Sequence, residues 1–298
     1  MFLCFIKCVW NGSSRQWLSG IEILMAMLVV GCVAQPQAKD TLSKIKDSGE
    51  INIGYSNDAP VSYKTATGEI TGESVELLRH ALSDLHVKMV PHLTDFGALI
   101  PGLQAGRFDI IAAGMYITPE RCRAVRFSTP TFSTGSTFIV KAGNPKKLTN
   151  FELIRDNSNA LLGVVTAALE AKFAKSAGVP DQRIKYFPSS QEGFAAVNAG
   201  RIDAYAYEYV SGRWFISIEG KNWGLENTPL IAKANNKSII AHGGLALRQG
   251  NADDSLYEYI NSHLKNFIGT PEHLKLIEGF GFSKNNLPKL STQEVCRG

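Results

Sequence analysis

The residues best placed for chemistry are Tyr116 and Arg121, five positions apart and just after the apolar run Asp109-Ile110-Ile111-Ala112-Ala113. Such a run suits a short strand buried on both faces. In an open α/β sheet, the residues just after a strand lie at its carboxyl edge, the crevice where ligands sit. A phenol and a forked guanidinium can hold a small anion there. Asp58 lies in the loop Asn57-Asp58-Ala59-Pro60 after an earlier strand, where a carboxylate can meet a cation. Phe96 and Tyr116 add aromatic faces, which attract cationic or delocalised groups.

Other chemistries lack their residues. His80, His86, His92, His242, His263 and His273 are scattered, and none has a His, Cys or Glu at a metal-binding spacing, so no metal or other cofactor is expected. The sequence has no Gly-x-Ser-x-Gly elbow, phosphate loop or Gly-x-Gly-x-x-Gly turn. Lys and Arg number 31 against 27 Asp and Glu, and they are dispersed, which argues against a nucleic-acid partner.

The elements that must position these residues can be read in order. Glu50–Tyr55 reads as a strand, and a helix from Gly72 carries Val75, Leu78, Ala81, Leu82 and Leu85 on one face. Val87–Leu93 is a second strand. Leu99, Ile100 and Leu103 mark a helix that stops at Gly106, and Thr118-Pro119 reads as an N-cap with proline at the first helical position. Thr137–Lys141 is a further strand. This β-α-β-α-β order implies a largely parallel sheet. After a break at Ala142–Lys147 the pattern restarts with strands at Leu161–Val165, Arg183–Phe187 and Ile202–Tyr207, and with helices between them, one of them capped by Ser189 or Ser190. The run GFAAVNAGRID, ending at Asp203, echoes GLQAGRFD, ending at Asp109, so two lobes use one unit. A second break at Ala232–Lys237 precedes a strand at Ile239–Leu247 and two closing helices, near Asp253–Phe267 and Pro271–Phe280.

With 298 residues the chain can build two cores. Its one strongly apolar run, Ile21–Ala34, is signal-peptide length and short for a membrane span. Residues 1–38 therefore read as a signal peptide or a lipoprotein leader in which Cys32 would be lipidated, and the mature chain as exported to the periplasm. Cys4, Cys8 and Cys32 fall in that leader. Cys122 and Cys296 remain, either bonded or as two free thiols.

The stretch from Phe96 to Pro130, with FGALIPGLQ, AAGMYITPERC and Phe127-Ser128-Thr129-Pro130 in order, resembles the solute-binding proteins of polar amino-acid ABC transporters. The resemblance covers about Leu42 to Pro288. Within the family it looks most like the ectoine- and hydroxyectoine-binding branch. It implies a type II two-lobed fold, each lobe a mostly parallel sheet flanked by helices, with the lobes hinged by two crossover strands near Ala142 and Lys233. Residues 39–142 would form the first part of lobe 1, 143–236 lobe 2, and 237–298 the return to lobe 1. The chain would be a monomer that binds a small zwitterion and delivers it to a permease in the inner membrane, without catalysis.

By the same resemblance Arg121 grips a ligand carboxylate, and Glu208 meets the ligand cation with a longer side chain than the usual aspartate. Asp58, Phe96, Gly114, Tyr116 and Thr166 complete the expected contacts. Tyr116 stands where amino-acid binders have Ser or Thr, and Ala167-Ala168 stand where they have Gly-Thr, departures that favour a ligand with spread positive charge. Val61 stands where a third aromatic is expected; Phe132 reads first as a core aromatic and second as its substitute. Two other readings remain. A polar amino acid would be the nearest alternative ligand. A periplasmic prephenate or arogenate dehydratase on the same fold would use Glu170 or Glu208 as a general acid. A sensor domain fits less well, since the sequence carries no signalling segment after the second lobe.

Overall fold

The computed structural model describes residues 40–298; the leader reading and Cys32 lie outside them. The chain forms two five-stranded sheets, each with helices packed on it. In the first, the strand order is Lys88–Leu93, Glu50–Tyr55, Ile110–Ile111, Ala246–Leu247, Arg126–Phe127. In the second it is Ile184–Phe187, Leu162–Val165, Ala204–Glu208, Ser136–Lys141, Leu225–Asn227. Both sheets follow one plan: the first three strands run parallel, and the fourth is antiparallel to both neighbours. The sheets are thus mixed. Their parallel part is βαβ-built as expected, and the reversed fourth strand is supplied by chain crossing from the other lobe.

The elements follow the sequence pattern closely where packing is local. The helix Glu73–Ala81 buries Val75, Leu78 and Ala81 against Ile51 and Ile53. The closing helix Asp254–Phe267 adds Leu256, Ile260 and Leu264 to that same core, so the tail returns to the first lobe. A separate core around Phe138, Phe151, Leu162 and Val164 holds the second lobe. Full burial of the aliphatic side chains in two such clusters is the main stabilising term, about 1.5–3 kcal/mol per large side chain.

Two expectations about the crossing are corrected. Ser136–Lys141, expected in the first lobe, hydrogen-bonds in the second sheet between Ala204–Glu208 and Leu225–Asn227. The first crossing therefore falls at Gly135, ahead of this strand and not at Ala142. A side chain at Gly135 would put its Cβ 2.6 Å from the Ile231 carbonyl oxygen, so the crossing segment packs against the second-lobe chain at Ile231 as only glycine allows. Lys233 lies in a hairpin, paired with Ser238, whose Ala234 packs in the second core together with Ile239. The return crossing comes after it, where Ala241–Gly243 pairs antiparallel with Phe132–Thr134 in a two-stranded ribbon between the lobes. The expected strand Ile239–Leu247 is thus two short strands split at Gly244.

Cys122 and Cys296 form a disulfide across 174 residues of sequence. It ties the C-terminal helix Thr292–Arg297 to the short helix Pro119–Cys122, which carries Arg121.

Candidate functional site

The two lobes face each other over a cleft of about 690 Å³, measured out to its open mouth. Three strand ends of the first lobe, and the strand ends and loops of the second, supply its wall. After Tyr55 the chain folds into a tight turn in which Ser62 N and Val61 N both donate to the Asp58 carbonyl, at 2.9 and 3.0 Å. This turn aims the Asp58 side chain at the second lobe, where Ser190 Oγ donates to its Oδ1 at 3.1 Å and the Tyr207 hydroxyl donates to the same oxygen.

After Ile110–Ile111 the chain needs Gly114. Its φ is 59°, and a Cβ there would lie 3.0 Å from the Val61 side chain. Gly114 N donates to Ser74 Oγ at 3.2 Å, fixing the turn that sends Tyr116 into the cleft wall. Thr118 then caps the short helix as its position predicts, its Oγ1 accepting from Arg121 N at 3.1 Å with Pro119 next. This cap places the Arg121 guanidinium, which donates from Nη1 to the Tyr116 carbonyl at 2.7 Å and from Nη2 across the cleft to the Ala167 carbonyl at 2.9 Å. Its Cζ sits 5.4 Å from the centre of the Phe96 ring. Each terminal nitrogen keeps a second hydrogen, so the fork can still meet an anion.

Of the expected contacts, Asp58, Phe96, Gly114, Tyr116, Arg121 and Glu208 line the cleft together. Thr166 does not. Its hydroxyl turns back to the Phe187 carbonyl at 3.1 Å within the second lobe, and Ala168 and Leu169 take the wall instead. Ala167 holds a φ of 64°, the conformation that suits the glycine expected there. Glu208 lines the cleft but also caps its own helix, accepting from Val210 N at 2.8 Å and Ser211 N at 2.6 Å. Val61 and Phe132 both stand on the wall, with the Phe132 ring 6.2 Å from that of Tyr116.

Sequence reasoning missed Tyr207 and Ser190 as partners of Asp58. Ser189 and Ser190 were equivalent cap candidates; Ser189 takes the cap, accepting from Glu192 N, and this frees Ser190 for the cleft. Tyr207 carried the same signal as Tyr116, an aromatic hydroxyl at the end of a buried strand.

Burial governs the charges. It lifts the Asp58 carboxyl to about 6, with the Tyr207 and Ser190 hydroxyls opposing the rise. Burial, aided by nearby Glu208, lifts Glu170 to about 7. Glu208 is raised by burial too, against the pull of its two amide donors. Arg121 is lowered by burial, opposed first by Glu170. A cleft of three acids, one guanidinium and several rings can hold a molecule with a carboxylate at one end and a cation at the other.

Residues 51–282 match the family of bacterial extracellular solute-binding proteins, family 3. The chain belongs to that family. A relative similar to it is the probable amino-acid ABC transporter periplasmic-binding protein y4tE of Sinorhizobium fredii, 31% identical over 93% of this chain and 92% of that one. Among solved structures, this chain is similar to EhuB in complex with hydroxyectoine, at 31% identity and a TM-score of 0.78, covering 87% of this chain and 99% of EhuB. It is also similar to the ancestral amino acid-binding protein AncCDT-1, a precursor of cyclohexadienyl dehydratase, at 28% identity and a TM-score of 0.70, covering 81% and 100%. The two-lobed fold is the type II periplasmic-binding fold. As a family 3 member the chain is the substrate-binding receptor of an amino-acid-type ABC importer, acting outside the cytoplasm.

Proposed function

We propose that this receptor binds a small zwitterion with delocalised positive charge, ectoine or hydroxyectoine, and passes it to the permease of its importer. The observation that carries this reading is the Arg121–Phe96–Tyr116 wall, a carboxylate reader flanked by rings, opposite buried acids. The likeness to EhuB with hydroxyectoine supports it. In this reading Arg121 takes the ligand carboxylate, Phe96, Tyr116 and Phe132 face the amidinium, and Asp58 and Glu208 complement its charge. The protein works as a monomer, with residues 1–38 as its export leader. It binds its solute without converting it.

A polar amino acid is the second reading, favoured by the name of the Sinorhizobium relative. A thermal-shift screen of the mature protein separates the two. Ligand that binds only the folded state raises the melting temperature by mass action. Ectoine and hydroxyectoine are expected to raise it and glutamine, arginine and proline to leave it unchanged. A shift with an amino acid alone would replace the ligand and keep the receptor. Prephenate consumed by the protein would make it an enzyme.

A further inference from the structure

Three acids face the cleft, and they are not equivalent. Asp58 is held by the Tyr207 and Ser190 hydroxyls, and Glu208 gives one oxygen to each of two backbone amides. Glu170, the first residue of the helix Glu170–Ser176, is only 5% exposed, and its Oε1 has no hydrogen-bond partner. Arg121 does not pair with it; both terminal nitrogens of the guanidinium are directed to the carbonyls of Tyr116 and Ala167. A buried acceptor left unpaired on the wall of a binding cleft is costly, and a donor on the ligand would recover that cost.

Resting on the ligand reading above, we infer that Glu170 is a specificity-determining residue, whose carboxylate takes an N–H of the ligand's cationic group. The cleft then favours amidinium, guanidinium and ammonium groups over quaternary ammonium. The aromatic wall cannot make this distinction, since rings attract both kinds of cation through the same field. A quaternary ammonium has no N–H and would leave Glu170 buried and unpaired. An amidinium brings two N–H donors, one for Glu170 and one for a neighbouring acid. Burial already lifts the Glu170 carboxyl to about 7, so a cation beside it holds it in the charged, accepting form.

The test is calorimetric titration at pH 8 with ectoine and with glycine betaine, into the wild type, Glu170→Gln and Glu170→Ala. The wild type is expected to prefer ectoine by about 100-fold or more, and each variant to lose roughly 10- to 100-fold for ectoine while changing little for glycine betaine. Melting of each variant without ligand separates lost binding from lost folding, and the wild-type preference does not depend on either variant. A folded Glu170→Gln that keeps full ectoine affinity overturns the role of Glu170 and leaves the ligand reading intact. So does a wild type that binds the two solutes equally. A wild type that binds no N–H cation at all overturns both.

Discussion

The turn Gly-Arg-Phe-Asp at 106–109 and the turn Gly-Arg-Ile-Asp at 200–203 sit at matching points of the two sheets, each with its glycine at a φ of 69°. Asp109 Oδ2 accepts from Asn52 N at 3.0 Å, and Asp203 Oδ2 accepts from Leu161 N at 2.8 Å. Each aspartate returns its own amide to the carbonyl of the same residue, both at 2.9 Å. Each also meets a cation: Arg248 lies 3.5 Å from Asp109, and Lys146 lies 2.8 Å from Asp203. The same device thus pins the third strand of each sheet to the second, its parallel neighbour, and both strands run towards the cleft. Beyond it the lobes diverge. The first lobe continues through Gly114 into Tyr116 and Arg121, whereas the second ends in Tyr207 and Glu208 and starts a helix. Scaffold geometry is shared between the lobes, and ligand chemistry is set by the residues that leave each strand end.

The largest expected break in this symmetry is the disulfide, which staples only the first lobe. Closing a loop across 174 residues stabilises by roughly 3–5 kcal/mol in the chain-entropy account. Cys122→Ser is expected to lose most of that in denaturant unfolding. It should also weaken ligand binding, because Cys122 adjoins Arg121. An unchanged midpoint would show that the packing of Val295 and Cys296 in the first lobe suffices without the bond.

The repeated turn gives a smaller and sharper test. Asp109→Ala and Asp203→Ala each remove a charged acceptor from a strand amide, a loss of about 2 kcal/mol. Equal costs, within a few tenths, would support a shared structural unit. A cost in one lobe several times that in the other would reduce the sequence echo to coincidence.

Much of this was legible because it is local. The stop at Gly106, the buried Ile110–Ile111 strand, the Thr118 cap and the Gly-Arg-x-Asp echo depend on residues within a few positions of one another. The resemblance over Phe96–Pro130 then singled out Phe96, Gly114, Tyr116 and Arg121, which lie on the cleft wall. The features that escaped are long-range. Ser136–Lys141 reads as an apolar strand in either sheet, and only its pairing with Ala204–Glu208 decides which. Ser190 and Tyr207 reach Asp58 from 132 and 149 residues away, and no spacing rule connects them. The Thr166 hydroxyl was expected in the cleft by the same resemblance. A nearer carbonyl, that of Phe187, takes it instead.

Arg121 is the point at which the first lobe's chemistry meets the proposed ligand, and its removal is the most direct measurement. Calorimetric titration of ectoine into the wild type and Arg121→Ala is expected to show a loss of about 3 kcal/mol, roughly 100-fold in affinity, because the ligand carboxylate would be left unpaired in a closed cleft. Undiminished affinity in the folded variant would contradict the account, since a zwitterion held without Arg121 must be held somewhere else.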